Sequence, residues 1–109
     1  MLKAQDPVRY FAIHEFLAQI NQRLAREVPG FERAHYVREC LYHTACMMDS
    51  PLIEQQLLDA LQLVQLEPLG TLFQFYEEFK QDIELIEVLG KHLKTVRTAI
   101  SRYLPEDKR

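Results

Sequence analysis

The residues best suited to chemistry lie along one side of a helix that the sequence predicts over residues 31–48. His35, Glu39, His43 and Cys46 follow one another at steps of four, four and three, a spacing that keeps their side chains on one side of an α-helix. Imidazole, carboxylate and thiolate groups are the ligands that Zn²⁺ prefers. The row spans about 16 Å along the helix, so one ion could take only two of the four residues.

Two other carboxylate patterns bear on metal chemistry. Glu32 and His35 match the Glu-x-x-His spacing of di-iron bundles, but such bundles need a second copy of it and this sequence has none. Glu77, Glu78 and Asp82 lie within about one helical turn and could gather Mg²⁺ in a helical hydrolase. The same spacing is common on solvated helices. A metal-binding or hydrolytic helical bundle is therefore the alternative function, and we expect no cofactor.

Composition argues against several other classes of protein. The 109 residues carry a formal net charge of −3, and the helix predicted over 51–66 has no Lys or Arg with which to contact phosphates. Nucleic acid is therefore a poor partner. No segment has the roughly 20 apolar residues of a membrane span, which favours a cytosolic protein. Cys40 and Cys46 are six residues apart on one predicted helix, too distant to pair, so we expect reduced thiols with Cys46 on the outer side.

Apolar periodicity predicts an all-α domain of four helices, over residues 7–28, 31–48, 51–66 and 71–104, packed like a four-helix bundle. Asp6-Pro7 is a helix-start signal, and Pro29-Gly30 ends the first helix. The first helix should turn one apolar stripe to the core, formed by Tyr10, Ile13, Leu17, Ile20 and Leu24. Phe11 and Phe16 lie outside that stripe and suggest a second contact surface.

The predicted fourth helix is longer than its neighbours. At about 50 Å it exceeds the first helix, about 34 Å long, by several turns. Its apolar stripe is nevertheless continuous, through Leu72, Tyr76, Phe79, Ile83, Ile86, Leu89, Leu93, Val96, Ile100 and Tyr103. Either the chain breaks at Gly90 and folds back as a fifth helix, or the excess length packs on a second chain. Because Gly90-Lys91 is a poor start for a new helix, we favour the second arrangement.

The second half of the second helix also indicates association. Residues 40–48 contain no formally charged side chain, and a helix without a wet side is normally covered all round. The sequence therefore predicts a homodimer, acting as a small cytosolic protein–protein interaction module: an adaptor, regulator or assembly factor with a further, unidentified protein partner. The predicted interface consists of Cys40, Met47, Leu89, Gly90, Leu93, Val96, Arg97, Ile100 and Tyr103.

Overall fold

The computed structural model of the chain describes residues 6–47 and 51–106, and its regular elements in those ranges are all helical. This confirms the all-α prediction for the described residues. The predicted end of the second helix at Met48 lies outside them. The α-helices are α1 (Pro7–Glu27), α2 (Phe31–Cys46), α3 (Pro51–Gln62), α4 (Leu69–Gln81), α5 (Ile83–Leu89) and α6 (Leu93–Arg102), with 3₁₀ turns at Leu63–Leu66 and Gly90–His92.

Local signals explain how α1 and α2 begin and end. The Asp6 carboxylate accepts a hydrogen bond from the backbone N–H of Arg9 at 3.0 Å, and Pro7 occupies the first helical position. Val28 is extended and ends α1. Gly30 follows with a φ of +81°. This conformation is energetically unfavourable for an L-residue that has a Cβ atom. This short connection turns the chain back, so α2 packs along α1.

The predicted fourth helix is not continuous, and the preference for a helix over residues 71–104 is wrong. Asp82 ends α4 and caps α5, since its carboxylate accepts the backbone N–H of Leu85 at 3.1 Å. Gly90 then breaks the chain a second time, with a φ of +51° ahead of the short 3₁₀ turn. The alternative break at Gly90 is therefore confirmed. Three short helices replace the long one, so the chain does not form a bundle of four matched helices.

The break at Asp82 also changes which side chains are buried. Through α4 the predicted stripe holds, with Leu72, Tyr76 and Phe79 in the core. In α5 Leu89 of the predicted stripe is buried, but the other buried residue is Leu85, which lies outside the stripe, and Ile83 is 69% exposed. Capping by Asp82 starts a new helix with a new rotation, which takes Ile83 out of the core.

The chain is organised around α2, which contacts α1, α3, α4 and α5. This position explains the neutral stretch that begins at Cys40. Cys40, Leu41, Thr44, Cys46 and Met47 are all buried by helices of the same chain. The inference that a second subunit must cover this half of the helix is therefore wrong, because a central helix is surrounded even in a short chain. The C-terminal helix α6 packs on α3, with Val96 and Ile100 fully buried.

A buried ion pair joins three separate parts of the fold. Arg33 Nη1 lies 2.7 Å from Glu67 Oε2, and the two side chains are 11% and 3% exposed. Arg33 Nε also donates to the carbonyl oxygen of Ala25 at 2.7 Å, and the N–H of Gly30 donates to Glu67 Oε1 at 2.8 Å. The pair therefore connects the end of α1 and the start of α2 to the segment preceding α4. We call Arg33 and Glu67 the buried clamp.

Candidate functional site

A group of titratable side chains lies where α1 and α2 pack together. His14 Nδ1 on α1 is 2.9 Å from His43 Nδ1 on α2, and Glu39 Oε2 lies 3.7 Å from the other nitrogen of His43. The ring of Tyr10 packs edge-on against His14 at 4.5 Å between centroids. Glu39, His43 and His14 thus form a series of polar contacts that leads from the Glu39 carboxylate to the interface between α1 and α2. We call His14 and His43 the histidine pair.

The short contact within the histidine pair constrains its protons. A hydrogen bond between two Nδ1 atoms needs one donor and one acceptor, so it cannot survive protonation of both rings. Burial lowers the pKa of His14, and the neighbouring His43 lowers it further. Burial also lowers the pKa of His43, although Glu39 acts in the opposite direction. The pair is therefore held neutral at neutral pH.

Cys46 lies at the end of α2 beside two phenols. The hydroxyls of Tyr10 and Tyr42 both hydrogen-bond to its thiol. The pKa of Tyr10 is raised chiefly by burial, and that of Tyr42 chiefly by the charge that Cys46 would carry. Both phenols therefore remain protonated donors. Cys40 and Cys46 are free, as predicted, but Cys46 is buried rather than on the outer side, because α1 brings Tyr10 against it.

Three of the four candidate ligands from the sequence lie at this site. His43 and Cys46 contact His14 and Tyr10 of α1, and Glu39 reaches the site through His43. His35 is exposed, and its ring neighbours Tyr36 at 5.5 Å between centroids. Sequence reasoning missed His14, which is 29 residues from His43 along the chain. Only a predicted pairing of α1 with α2, together with the buried side of α1, could have indicated it.

The geometry gives a metal ion little to bind. Among residues 6–47 and 51–106, no group of three or more His, Cys, Asp or Glu side chains could hold a metal ion. The two facing nitrogens of the histidine pair already bond to each other, and Glu39 approaches the opposite side of His43. The contact between His14 and His43 joins α1 to α2.

The carboxylates of the predicted fourth helix are likewise engaged. Glu77 lies 2.9 Å from Lys80, and Arg38 of α2 lies 3.4 Å from both Glu78 and Asp82. Asp82 also caps α5. Cations of the same chain thus neutralise the side chains that were candidates for Mg²⁺, and their contacts are those of helix packing.

Most of the predicted interface residues pack inside the single chain. Cys40, Met47, Leu89, Val96 and Ile100 are buried in its own core. Leu93 and Tyr103 are half-buried against that core, and only Gly90 and Arg97 are exposed. The physical reason is the break at Gly90, which lets α6 return onto α3 instead of extending to another molecule. Five of these nine residues therefore contribute to the core of the single chain, and an interface through this region stays a prediction.

Part of the exposed apolar surface lies on α1, and the rest is spread over other elements, at Phe31, Leu52, Leu66, Leu69, Phe73 and Ile83. Only Ala18 and Ala25 of this helix are buried, and α2 is its principal contact. The stripe predicted to face the core stays half-buried or exposed: Ile13 is 38% exposed, and Phe16 beside it 60%. Ala18 lies about 100° around the helix from Leu17. Because α1 packs closely on α2 through its small alanines, its large apolar side chains point away from α2. We call Ile13, Phe16, Leu17, Ile20 and Leu24 the α1 outer face.

The fold and these sites define an all-helical protein whose described residues include a histidine contact between two helices and a partly uncovered helical face on α1. No helix among those residues has the length and apolar character needed to cross a membrane. Comparisons of the chain with protein-family models, with curated proteins and with solved structures gave no match.

The histidine pair predicts a pH-dependent stability. Both imidazoles have a lowered pKa in the folded protein, so the unfolded chain binds more protons once the pH falls below the ordinary value of 6.5. The free energy of unfolding should be highest above that value and decline as the pH falls through it toward the folded pKa. Urea unfolding followed by circular dichroism between pH 8 and about 5 measures this decline.

Replacing His14 with Phe tests the assignment. The variant should lose about 1 kcal/mol of stability at pH 8, because His43 Nδ1 loses its partner. Its stability should also depend less on pH than that of the wild type. His35→Phe is the matched control, since His35 is exposed on α2 and should leave both quantities unchanged. An unaltered pH dependence in His14→Phe would contradict the role of the pair.

Proposed function

We propose that the protein is a small cytosolic protein–protein interaction module that acts as a homodimer, an adaptor, regulator or assembly factor rather than an enzyme. The observation that carries the proposal is the α1 outer face. The rest of the chain covers α1 on one side only, and large apolar side chains lie on the other side. Such a surface is typical of a binding site for another protein. The proposal moves the interface from the C-terminal helices to α1.

The way α1 is held supports this role. α1 contacts α2 through the histidine pair, through its buried alanines and through Phe11, which packs against the core. The side chains of the α1 outer face are not among those that pack against this core. A helix that presents anchors in successive turns matches the helix-in-groove mode of recognition. Beside Phe16 and Ile20 lies an open depression of about 390 Å³, whose other lining side chains are polar residues of the same helix, Gln19, Gln22, Arg23 and Arg26.

Light scattering coupled to gel filtration tests the proposal at micromolar concentration. The wild type should have about twice the 12.9 kDa mass of one chain. Phe16→Glu should shift the protein to monomer, because a charge in the centre of the interface would be desolvated on association. Its helical circular dichroism should stay unchanged, since Phe16 is 60% exposed in the single chain.

Ile83→Glu provides the control for this experiment. Ile83 is as exposed as Phe16 and also lies on a helix, but on α5 rather than α1. This variant should remain dimeric. A wild type with the mass of a single chain would overturn the homodimer, and equal effects of the two substitutions would remove the α1 outer face from the interface.

A further inference from the structure

The charges at the two ends of the α1 outer face repeat with the period of the helix. Arg9 and Glu27 are 18 residues apart, which is about five full turns, so both point in the same direction about 27 Å from each other. Both side chains are exposed. Within the part of the chain that the structure describes, neither forms an ion pair. An exposed apolar helix face thus has a cation at one end and an anion at the other.

The large side chains lie between these charges in the same direction. Phe16 and Ile20 point about 20° to either side of the line joining Arg9 to Glu27, and Ile13 about 40° from it. Phe16 and Ile20 are also equally distant from the midpoint, which falls at residue 18. Reversal about that midpoint therefore exchanges Phe16 with Ile20 and Arg9 with Glu27. Arg23 is also exposed and lies about 40° from the line, so the same reversal sets it against Ile13.

We propose that the occupant of the α1 outer face is α1 of a second copy of this chain, packed antiparallel about a two-fold axis near residue 18. This inference rests on the proposed function, and it adds the orientation and register of the partner helix. Reversal about residue 18 sets Arg9 against the partner's Glu27, and the symmetry makes the pair twice. It also brings Phe16 against the partner's Ile20, so the apolar centre is closed at the same time.

The opposite orientation lacks this complementarity. A parallel pair of α1 helices would place Arg9 against Arg9 and Glu27 against Glu27, and like charges at such positions are destabilising. A register shifted by four residues would set Arg9 against the partner's Arg23 in one direction and Glu27 against the partner's Ile13 in the other. The antiparallel arrangement about residue 18 instead pairs Phe16 with Ile20 and Arg9 with Glu27, and it sets Arg23 across from the partner's Ile13.

Charge reversal distinguishes these arrangements by sedimentation equilibrium at low salt. Arg9→Glu and Glu27→Arg should each weaken the dimer by about 10-fold, because each creates two like-charge pairs. The double variant Arg9→Glu/Glu27→Arg should recover the wild-type dissociation constant, since both pairs are re-formed with reversed polarity. Raising the salt concentration should reduce the differences among the four proteins.

A mixture of the two single variants gives an independent readout. Each homodimer then has two repulsive pairs, whereas the heterodimer has two attractive ones, so mixing should produce heterodimer in excess of the statistical half. Single variants that dimerise as well as the wild type would overturn the antiparallel register, and so would a double variant that fails to recover. Such a result with a dimeric wild type would leave the proposed function standing. A monomeric wild type would overturn both.

Discussion

Glu67→Gln is expected to lower the free energy of unfolding by about 3 kcal/mol, because it leaves Arg33 buried without its counter-ion. The amide oxygen of the substituted Gln can still accept the hydrogen bond from the N–H of Gly30. The loss of stability therefore reports the missing charge of Glu67 and not a missing backbone contact. Urea unfolding at neutral pH, followed by circular dichroism, measures this difference. A loss of this size is large compared with the total stability of a domain of this length.

Two further variants test the reason for that loss. Glu78→Gln removes an exposed partner of Arg38 and should cost less than about 1 kcal/mol. Arg33→Met combined with Glu67→Leu should recover much of the stability lost in Glu67→Gln, because no unpaired charge remains in the interior. If Glu67→Gln were no more costly than Glu78→Gln, the clamp would not contribute to the fold as its burial implies.

Ile100→Ala is expected to cost about 2–5 kcal/mol, the range for removing a large aliphatic side chain from a packed core. Ile100 is 0% exposed in the single chain, where α6 packs on α3. The measurement is made in the monomeric Phe16→Glu background, so that association does not contribute to it. Arg97→Ala on the exposed side of the same helix is the control and should change stability by less than about 0.5 kcal/mol.

The same experiment separates two arrangements of the C-terminal helices. If α6 returns onto its own chain, the cost of Ile100→Ala is fully present in the monomer. If the helix instead ran on to a second molecule, Ile100→Ala would weaken dimerisation and cost little once the protein is monomeric. A small loss in the monomeric background would therefore contradict the fold-back at Gly90.

Helical content and several helix ends were predictable because their causes are local. Asp6 and Pro7 start α1 through one carboxylate and one fixed φ, and Gly30 supplies the positive φ between α1 and α2. Gly90 is likewise a residue at which the sequence allows a break. The sequence nevertheless favours a continuous helix over residues 71–104, because the apolar stripe continues beyond Gly90, and this preference is wrong. Periodicity reports how the residues are spaced, and it continues across a break that changes the direction of the chain.

The sequence by itself thus determined that this protein is helical, where α1 begins and ends, and that both thiols are free. Only the tertiary structure decided which sides of α1 and α5 are buried, whereas the stripe predicted for α4 holds. α1 packs through Ala18 and Ala25 because small side chains allow close approach, which leaves its large apolar residues outside. His14 meets His43, and Arg33 meets Glu67, across 29 and 34 residues of chain. Such pairs depend on how helices lie against one another, and no spacing within a single helix encodes that.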